Sequence, residues 1–262
     1  MAGKDLVEIG SNTAKGGFRN EDYVVEKFNN WKEDLDAQQW LVIMEYTLDE
    51  IEYVRAVKIS GYKTDVQVQV TIKLKQAIDV ENLQVKLVSN KRGKNQIDKR
   101  WVDNYVEWNM PKDVNRLLKH FTGELEPKLY FKDYKSQVPL KDSRRILLNE
   151  FTYEDKCKIL NFFKDNQVMI VNDILKGRGK FAAEWMLVIQ ILPHGKRWVL
   201  KSMNYVMNFY GNGEVKESPK HSINIGKILI QRKGGDGGRK TANMLQFNID
   251  PTELFIAGEN NN

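Results

Sequence analysis

The sequence predicts an α/β (α+β) fold, and three observations predict it. From Asp65 to Leu74, Val66, Val68, Val70 and Ile72 alternate with Gln67, Gln69, Thr71 and Lys73, the period-two pattern of a half-buried strand. Helical spacing behind capping signals occurs at Asn20, ahead of Val24, Val25, Phe28 and Trp31, and at Thr152 to Asp155, ahead of Ile159, Leu160 and Phe163. The run from Ala182 to Leu192 has the apolar content of a buried strand.

In chain order, the first helix follows Asn20 and carries Glu21 on the same side as Val25 and Phe28. A second helix is expected around Gln38 to Thr47, while Tyr53 to Ser60 reads equally as helix or strand. After the Asp65 strand comes a second one at Gln84-Val85-Lys86-Leu87-Val88. The polar connection KQAIDVENL leaves no room for a crossover helix, so the two strands should pair antiparallel. Helices are expected at Gln96 to Tyr105, Asp113 to Phe121, Thr152 to about Lys164, and Val168 to Leu175, the last stopped by Gly177 and Gly179. Lys201 to Phe209 looks helical and Ile223 to Gln231 looks like a strand. There is no internal repeat.

The 262 residues, 41% hydrophobic and 10% aromatic, suffice for one sizeable core or two small ones, and the expectation is a single domain over residues 1–262. A 29% charged fraction and a mean hydropathy of −0.54, with 6 Pro, exclude a disordered or collagen-like chain. A lone cysteine, Cys157, fits a reducing cytoplasm, and scattered His120, His194 and His221 form no zinc-site spacing. The start MAGKDLVEIG lacks an apolar signal core, and no apolar window reaches the ~18 residues of a spanning helix. A secreted or membrane-embedded protein is therefore not expected.

The net charge is +6 and the isoelectric point about 9.1, but the excess is local. In residues 86–101, Lys86, Lys91, Arg92, Lys94, Lys99 and Arg100 stand against Asp98, a local +5. In residues 231–247, Arg232, Lys233, Arg239 and Lys240 stand against Asp236, a local +3. The two stretches together carry +8 against the chain's +6, leaving −2 elsewhere. Localisation of this kind is the footprint of a polyanion partner.

Three constellations bear on chemistry. The first is Asp65 at the head of one strand with Gln84-Val85-Lys86 on its partner. Residues i and i+2 of a strand share a face, so Gln84 and Lys86 project together while Val85 points into the core. Such a group suits metal-assisted phosphodiester hydrolysis: Asp65 and the Val85 carbonyl can supply the oxygens Mg²⁺ prefers, and Lys86 can orient or deprotonate the attacking water. Polar–apolar–polar triplets behind an Asp also occur in many sheets without any site. The strand's continuation into the +5 loop favours chemistry here. Glu21, if inward, can support the metal's outer shell or simply be a paired core carboxylate.

The second constellation is the basic loop, in which Asn90, Lys91, Arg92, Lys94, Asn95, Gln96 and Lys99 mix phosphate-binding cations with amides able to contact base edges. A solvated charge run is the plain alternative. The third is Gln231-Arg232-Lys233-Gly234-Gly235-Asp236-Gly237-Gly238-Arg239-Lys240-Thr241. Arg239 breaks the phosphate-loop spacing there, which leaves either a loop entering a DNA groove or a flexible turn. No Ser or Thr has an evident His/Asp partner.

Asp65 with Gln84-Val85-Lys86 resembles a variant of the PD-(D/E)xK nuclease signature with Gln in place of the second acid. The segments GSNTAKGGFRNE, SGYKTD, QVKLVSNKRGKNQIDKRW, HFTGEL, DILKGRGKFAAEW and IQRKGGDGGRKTANMLQFNIDPTELF, from about residue 10 to 255, resemble a type II restriction endonuclease that recognises GCGC and cuts after the first G. Thr64 stands where that pattern has Ser. The resemblance implies a restriction-endonuclease-like core, a mixed central β-sheet flanked by helices. It implies Asp65, Gln84 and Lys86 as the catalytic set, Mg²⁺ on Asp65, Gln84 and Val85, Gln96 at the DNA, and a base-reading Gly-rich loop near 231–241. Its implied partners are double-stranded DNA containing GCGC and, genetically, a cognate cytosine DNA methyltransferase, with the chain acting as a monomer or weak homodimer. The competing class is a non-catalytic double-stranded DNA-binding specificity module on a degenerate nuclease fold.

Overall fold

The computed structural model describes residues 21–59, 63, 65–72, 77–131 and 140–259, and the expected cap Asn20, Thr64 and the connection at 73–76 lie outside them. In chain order, α1 (21–29) and α2 (Leu35–Ile43) precede β1 (Ile51–Lys58), β2 (Val66–Ile72) and β3 (Ala77–Val88). Next come β4 (Asn95–Arg100), α3 (Lys112–Thr122), α4 (Pro127–Phe131), α5 (Tyr153–Asp165) and α6 (Gln167–Leu175). The remaining elements are β5 (Trp185–Leu192), β6 (Gly195–Ser202), α7 (Met203–Gly211), β7 (Val215–Glu217), β8 (Ile223–Ile225), β9 (Ile228–Arg232), β10 (Leu245–Ile249) and α8 (Glu253–Glu259).

The strands of the described residues form two five-stranded sheets, and the chain divides into two compact units. Among the described residues the first is built from 21–94, from Leu175–Val206 and from 250–259, and holds the sheet β1-β2-β3-β5-β6. The second, from Asn95–Ile174 and Met207–Ile249, holds β4-β10-β9-β8-β7.

In the first unit β2 and β3 pair antiparallel, as their short connection requires, in the register Val66↔Leu83 to Ile72↔Ala77. β3 then pairs parallel with β5, which makes the sheet mixed. α1 and α2 cover it: Val24, Phe28 and Trp40 are fully buried against Ile51, Val66, Leu83 and Val85. Burial of this size, roughly 1.5–3 kcal/mol per large apolar side chain, fixes the strand register. Val85 points into that core, as alternation predicts.

β3 starts seven residues earlier than its sequence suggests. Its charged first half is held by Glu81, whose carboxylate accepts from the Tyr46 hydroxyl at 2.8 Å and from the Trp185 indole at 2.7 Å. α2 also starts early, because Asp34 Oδ1 accepts the Ala37 N–H at 3.0 Å. β1 resolves the ambiguous stretch as strand.

The second unit corrects one expectation outright. Residues 96–105 do not form a helix but β4 followed by short 3₁₀ turns at Val102–Asn104 and Val106–Trp108. Between its Gln96 and Asp98 pairings the register with β10 shifts, and Ile97 and Asp98 are both buried. That bulge hides the period of two, while Ile97, Trp101, Val102 and Tyr105 imitate a helical stripe. Inside, Arg100 bridges Asp98 and Asp173, the Trp108 indole donates to Asp173 at 2.9 Å, and the Tyr105 hydroxyl donates to Asp98 at 3.0 Å.

Around this core α3 and α6 stand where expected, and α5 begins at its cap, with Thr152 Oγ1 accepting the Asp155 N–H at 3.2 Å. The stretch Ile223 to Gln231 splits into β8 and β9. At the turn between them Gly226 has φ +52°, and a Cβ there would lie 2.6 Å from the Tyr210 carbonyl oxygen.

Candidate active site and nucleic-acid interface

Asp65 sits where β2 stops being a regular strand. An ordinary strand residue sends its N–H and C=O to the same neighbour. Asp65 instead donates its N–H to the Leu83 carbonyl at 2.8 Å and accepts the Ile59 N–H at 2.9 Å, thereby facing both β3 and β1. This twist swings the side chain onto β3, where Oδ2 accepts the Val85 N–H at 2.7 Å. The N–H and C=O of Val85 leave β3 by one edge, so the Val85 carbonyl faces the same side as Asp65, beyond the last β2–β3 pair at Val66↔Leu83.

Gln84 and Lys86 share the opposite face of β3 from Val85, as alternation requires. Gln84 is only 2% exposed, and its Oε1 has no hydrogen-bond partner among the described residues. An orphaned buried oxygen costs about 1–3 kcal/mol unless something binds it. Burial pushes the Asp65 carboxyl above its ordinary pKa, while the Lys86 ammonium, the Val85 N–H and Lys63 pull it back. Burial also raises Glu21 on α1, Asp65 raises it further, and Lys58 and Lys86 oppose the shift. Glu21, Asp65 and Lys86 thus form one electrostatic group.

The donors suit a hard divalent cation: an Asp65 carboxylate oxygen not used by Val85, the orphaned Gln84 Oε1 and the Val85 carbonyl are all oxygens, the ligand type Mg²⁺ takes. With a single close carboxylate they form no cluster of three His, Cys, Asp or Glu, and no such cluster occurs among the described residues. His120 is buried in α3 and His221 pairs with Glu217, while Cys157 is half-buried on α5.

Beyond Lys86 and Val88 the chain enters the basic loop, where Asn90, Lys91, Arg92 and Lys94 are exposed. A residue the sequence did not flag holds its backbone. Gln190 of β5 is fully buried, donates through Nε2 to the Asn90 carbonyl at 2.6 Å, and accepts from Arg197 Nε at 2.7 Å. Arg197 in turn lies 4.2 Å over the Phe255 ring. The available signal was one amide inside an otherwise apolar strand, WMLVIQIL. Asn95, Gln96 and Lys99 belong to β4 of the second unit, where Gln96 and Lys99 are exposed and face Asn248 and Gln246 of β10.

The Gly-rich stretch is the turn of the β9–β10 hairpin, paired from Leu245↔Arg232. Gly234, Gly235, Gly237 and Gly238 have φ of +67°, +61°, +57° and +82°. At Gly234, Gly235 and Gly238 an added Cβ would meet nothing within 4 Å, so backbone conformation rather than crowding demands glycine there. Arg232 is fixed by Asn243, whose Oδ1 accepts from its Nε at 3.1 Å and Nη2 at 2.8 Å. Lys233 is half-buried, Asp236 opens the turn Asp236–Gly238, and Arg239 and Lys240 are exposed. No phosphate-loop helix follows.

The family model for R.HinP1I restriction endonuclease matches residues 44–255. That span holds Asp65, Gln84, Lys86 and both basic stretches, while Glu21 precedes it. None of the curated proteins matches the chain. Among solved structures it is similar to the restriction endonuclease MspI in complex with its cognate DNA, at 16% identity over 87% of each chain with a TM-score of 0.58. The likeness shows a restriction-endonuclease fold, and the family match identifies the sequence: the chain belongs to the R.HinP1I restriction endonuclease family.

Proposed function

We propose that the chain is a Mg²⁺-dependent type II site-specific deoxyribonuclease that hydrolyses double-stranded DNA at GCGC and restricts unmodified foreign DNA. Residues 1–262 act as one endonuclease domain, in the cytoplasm, beside a cytosine methyltransferase that protects host sites. What supports this reading is the Val85 N–H bond to Asp65 Oδ2 within the Gln84-Val85-Lys86 run of β3, beside a buried Gln84 Oε1 that no described residue binds. No helix among the described residues is long and apolar enough to cross a membrane.

Asp65, Gln84 and Val85 would hold the metal, which when bound supplies Lewis-acid polarisation of the phosphodiester. Asp65 is fixed for this by the Val85 N–H, and Gln84 adds an oxygen without a second charge. Lys86 orients the attacking water and offsets charge growing on the phosphoryl oxygens, an effect worth about 10²–10³ in rate for one well-placed donor. In-line attack by water leaves 5′-phosphate and 3′-hydroxyl ends. Asn90, Lys91, Arg92, Lys94 and Lys99 serve the DNA, as do Asn95, Gln96, Arg232, Lys233, Asp236, Arg239 and Lys240. The cations bind phosphates and the amides and Asp236 meet base edges.

A digest of unmethylated DNA of known sequence tests this, with Mg²⁺ against EDTA and the fragment ends mapped. Mg²⁺-dependent fragments ending at GCGC are expected. DNA binding without metal-dependent cutting would instead identify a specificity module on a degenerate nuclease fold.

A further inference from the structure

The turn at residues 141–147 of the second unit is built as a cationic platform. Glu150 clamps it at both ends, its carboxylate accepting the Lys141 N–H at 2.8 Å and the Leu147 N–H at 2.7 Å. The Ile146 N–H donates to the His120 carbonyl at 3.0 Å. Within the turn Asp142 orders two guanidinium groups. It takes Arg144 by two hydrogen bonds, Nε at 2.8 Å and Nη2 at 3.1 Å, and Arg145 Nε at 3.2 Å.

A third guanidinium is tied to the same place. Asn243, which fixes Arg232, donates through Nδ2 to the Gly123 carbonyl at 2.8 Å. Gly123, at φ +87°, lies so close under the turn that a Cβ would sit 2.5 Å from the Arg144 carbonyl oxygen. Arg144 and Arg145 both repel Arg232, whose pKa burial and these two neighbours pull down, while Asp142 alone opposes them. Asp142 is itself held down to about 2, chiefly by its bonds to Arg144. Two preorganised cations are thus bonded to one carboxylate, and the third, held by Asn243, feels that carboxylate without bonding it. Among the described residues no partner takes Arg144 Nη1, Arg145 Nη1 and Nη2, or Arg232 Nη1. Like charges held together at a cost, with donors left over, call for a second anion with several oxygens.

We infer that Arg144, Arg145 and Arg232 together hold one phosphodiester group of the DNA backbone at the root of the Gly-rich hairpin. The contact carries no base information: it anchors the hairpin's register on the duplex while the turn residues reach the groove. The inference rests on the nuclease reading of the chain.

The test is binding of a 25-base-pair duplex with GCGC, and of one without it, across a salt series in EDTA. Compared are the unaltered chain, the pair Arg144→Gln with Arg145→Gln, and the pair Arg144→Lys with Arg145→Lys. Loss of one phosphate contact makes the slope of log K against log salt shallower by about 1. The Gln pair should show this on both duplexes, with affinity at low salt down roughly tenfold, while the Lys pair keeps the slope. An unchanged slope in the Gln pair, or an equal loss in both pairs, overturns the phosphate contact and leaves the nuclease reading standing. An unaltered chain that binds neither duplex overturns both.

Discussion

In the first unit the charges that matter are few and sunk at a strand end, whereas in the second they are many and ride on turns whose backbone is fixed from beneath. Asp65 is held by one main-chain N–H and lifted in pKa by burial, with Lys86 as its main relief. The hairpin at 233–244 and the turn at 141–147 leave Lys141, Arg144, Arg239 and Lys240 exposed and spend their hydrogen bonds on position, through Asn243, Glu150 and Asp142. On the proposed reading, the difference separates chemistry from grip. A reacting group gains from a dry site that shifts its proton affinity, and a phosphate-binding surface gains from charges that stay solvated until DNA arrives.

The largest effect that can break this division is expected at Asp65. Asp65→Asn should lower cleavage by at least about 10³-fold with DNA affinity nearly unchanged. The same change should stabilise the fold. Burial raises the Asp65 pKa in the native state, so the folded chain binds that proton more tightly than the unfolded chain. The ionised group therefore costs stability above its folded pKa, and the cost vanishes as pH drops below the unfolded value of about 4. Thermal melting should place Asp65→Asn about 2–4 °C above the unaltered chain at pH 8 and level with it near pH 4. A lower midpoint at pH 8 would mean that the carboxylate is not strained.

A smaller effect is expected at Gln190, which joins β5 to the basic loop. Gln190→Leu removes the hydrogen bond that holds the Asn90 carbonyl and leaves Arg197 without its acceptor. Affinity should fall roughly tenfold, about 1.4 kcal/mol. Single-turnover cleavage at saturating DNA should stay within about threefold. Equal loss in both measurements would make Gln190 part of the core rather than a positioner of the loop. Smallest is Gly238→Ala, where φ is +82° and the space around it is open. Strain of about 1 kcal/mol should lower the melting midpoint by about 2–4 °C without altering the salt dependence of binding.

The same contrast governs what could be read from the chain. The β2–β3 pairing was legible because Val66 to Ile72 alternate without interruption, and the start of α5 was legible because Thr152 caps it locally. Elements set by non-local partners were not. β4 was hidden by its bulge at Ile97, and the first half of β3 by charges that only Tyr46 and Trp185 make tolerable in a strand. At the site, the i and i+2 spacing placed Gln84 and Lys86 on one face, and Glu21 joins their electrostatic neighbourhood. Gln190 and Asn243 act on backbone groups 100 and 120 residues away and Glu150 on a nearby turn, and nothing in their types announces it.

The most direct test of the division is Lys86→Ala, measured for single-turnover cleavage and for equilibrium binding on the same GCGC duplex. Cleavage should fall by at least about 10²-fold while the dissociation constant stays within about threefold. Retained cleavage would remove Lys86 from the chemistry, and a parallel collapse of binding would place it with the cations that grip DNA.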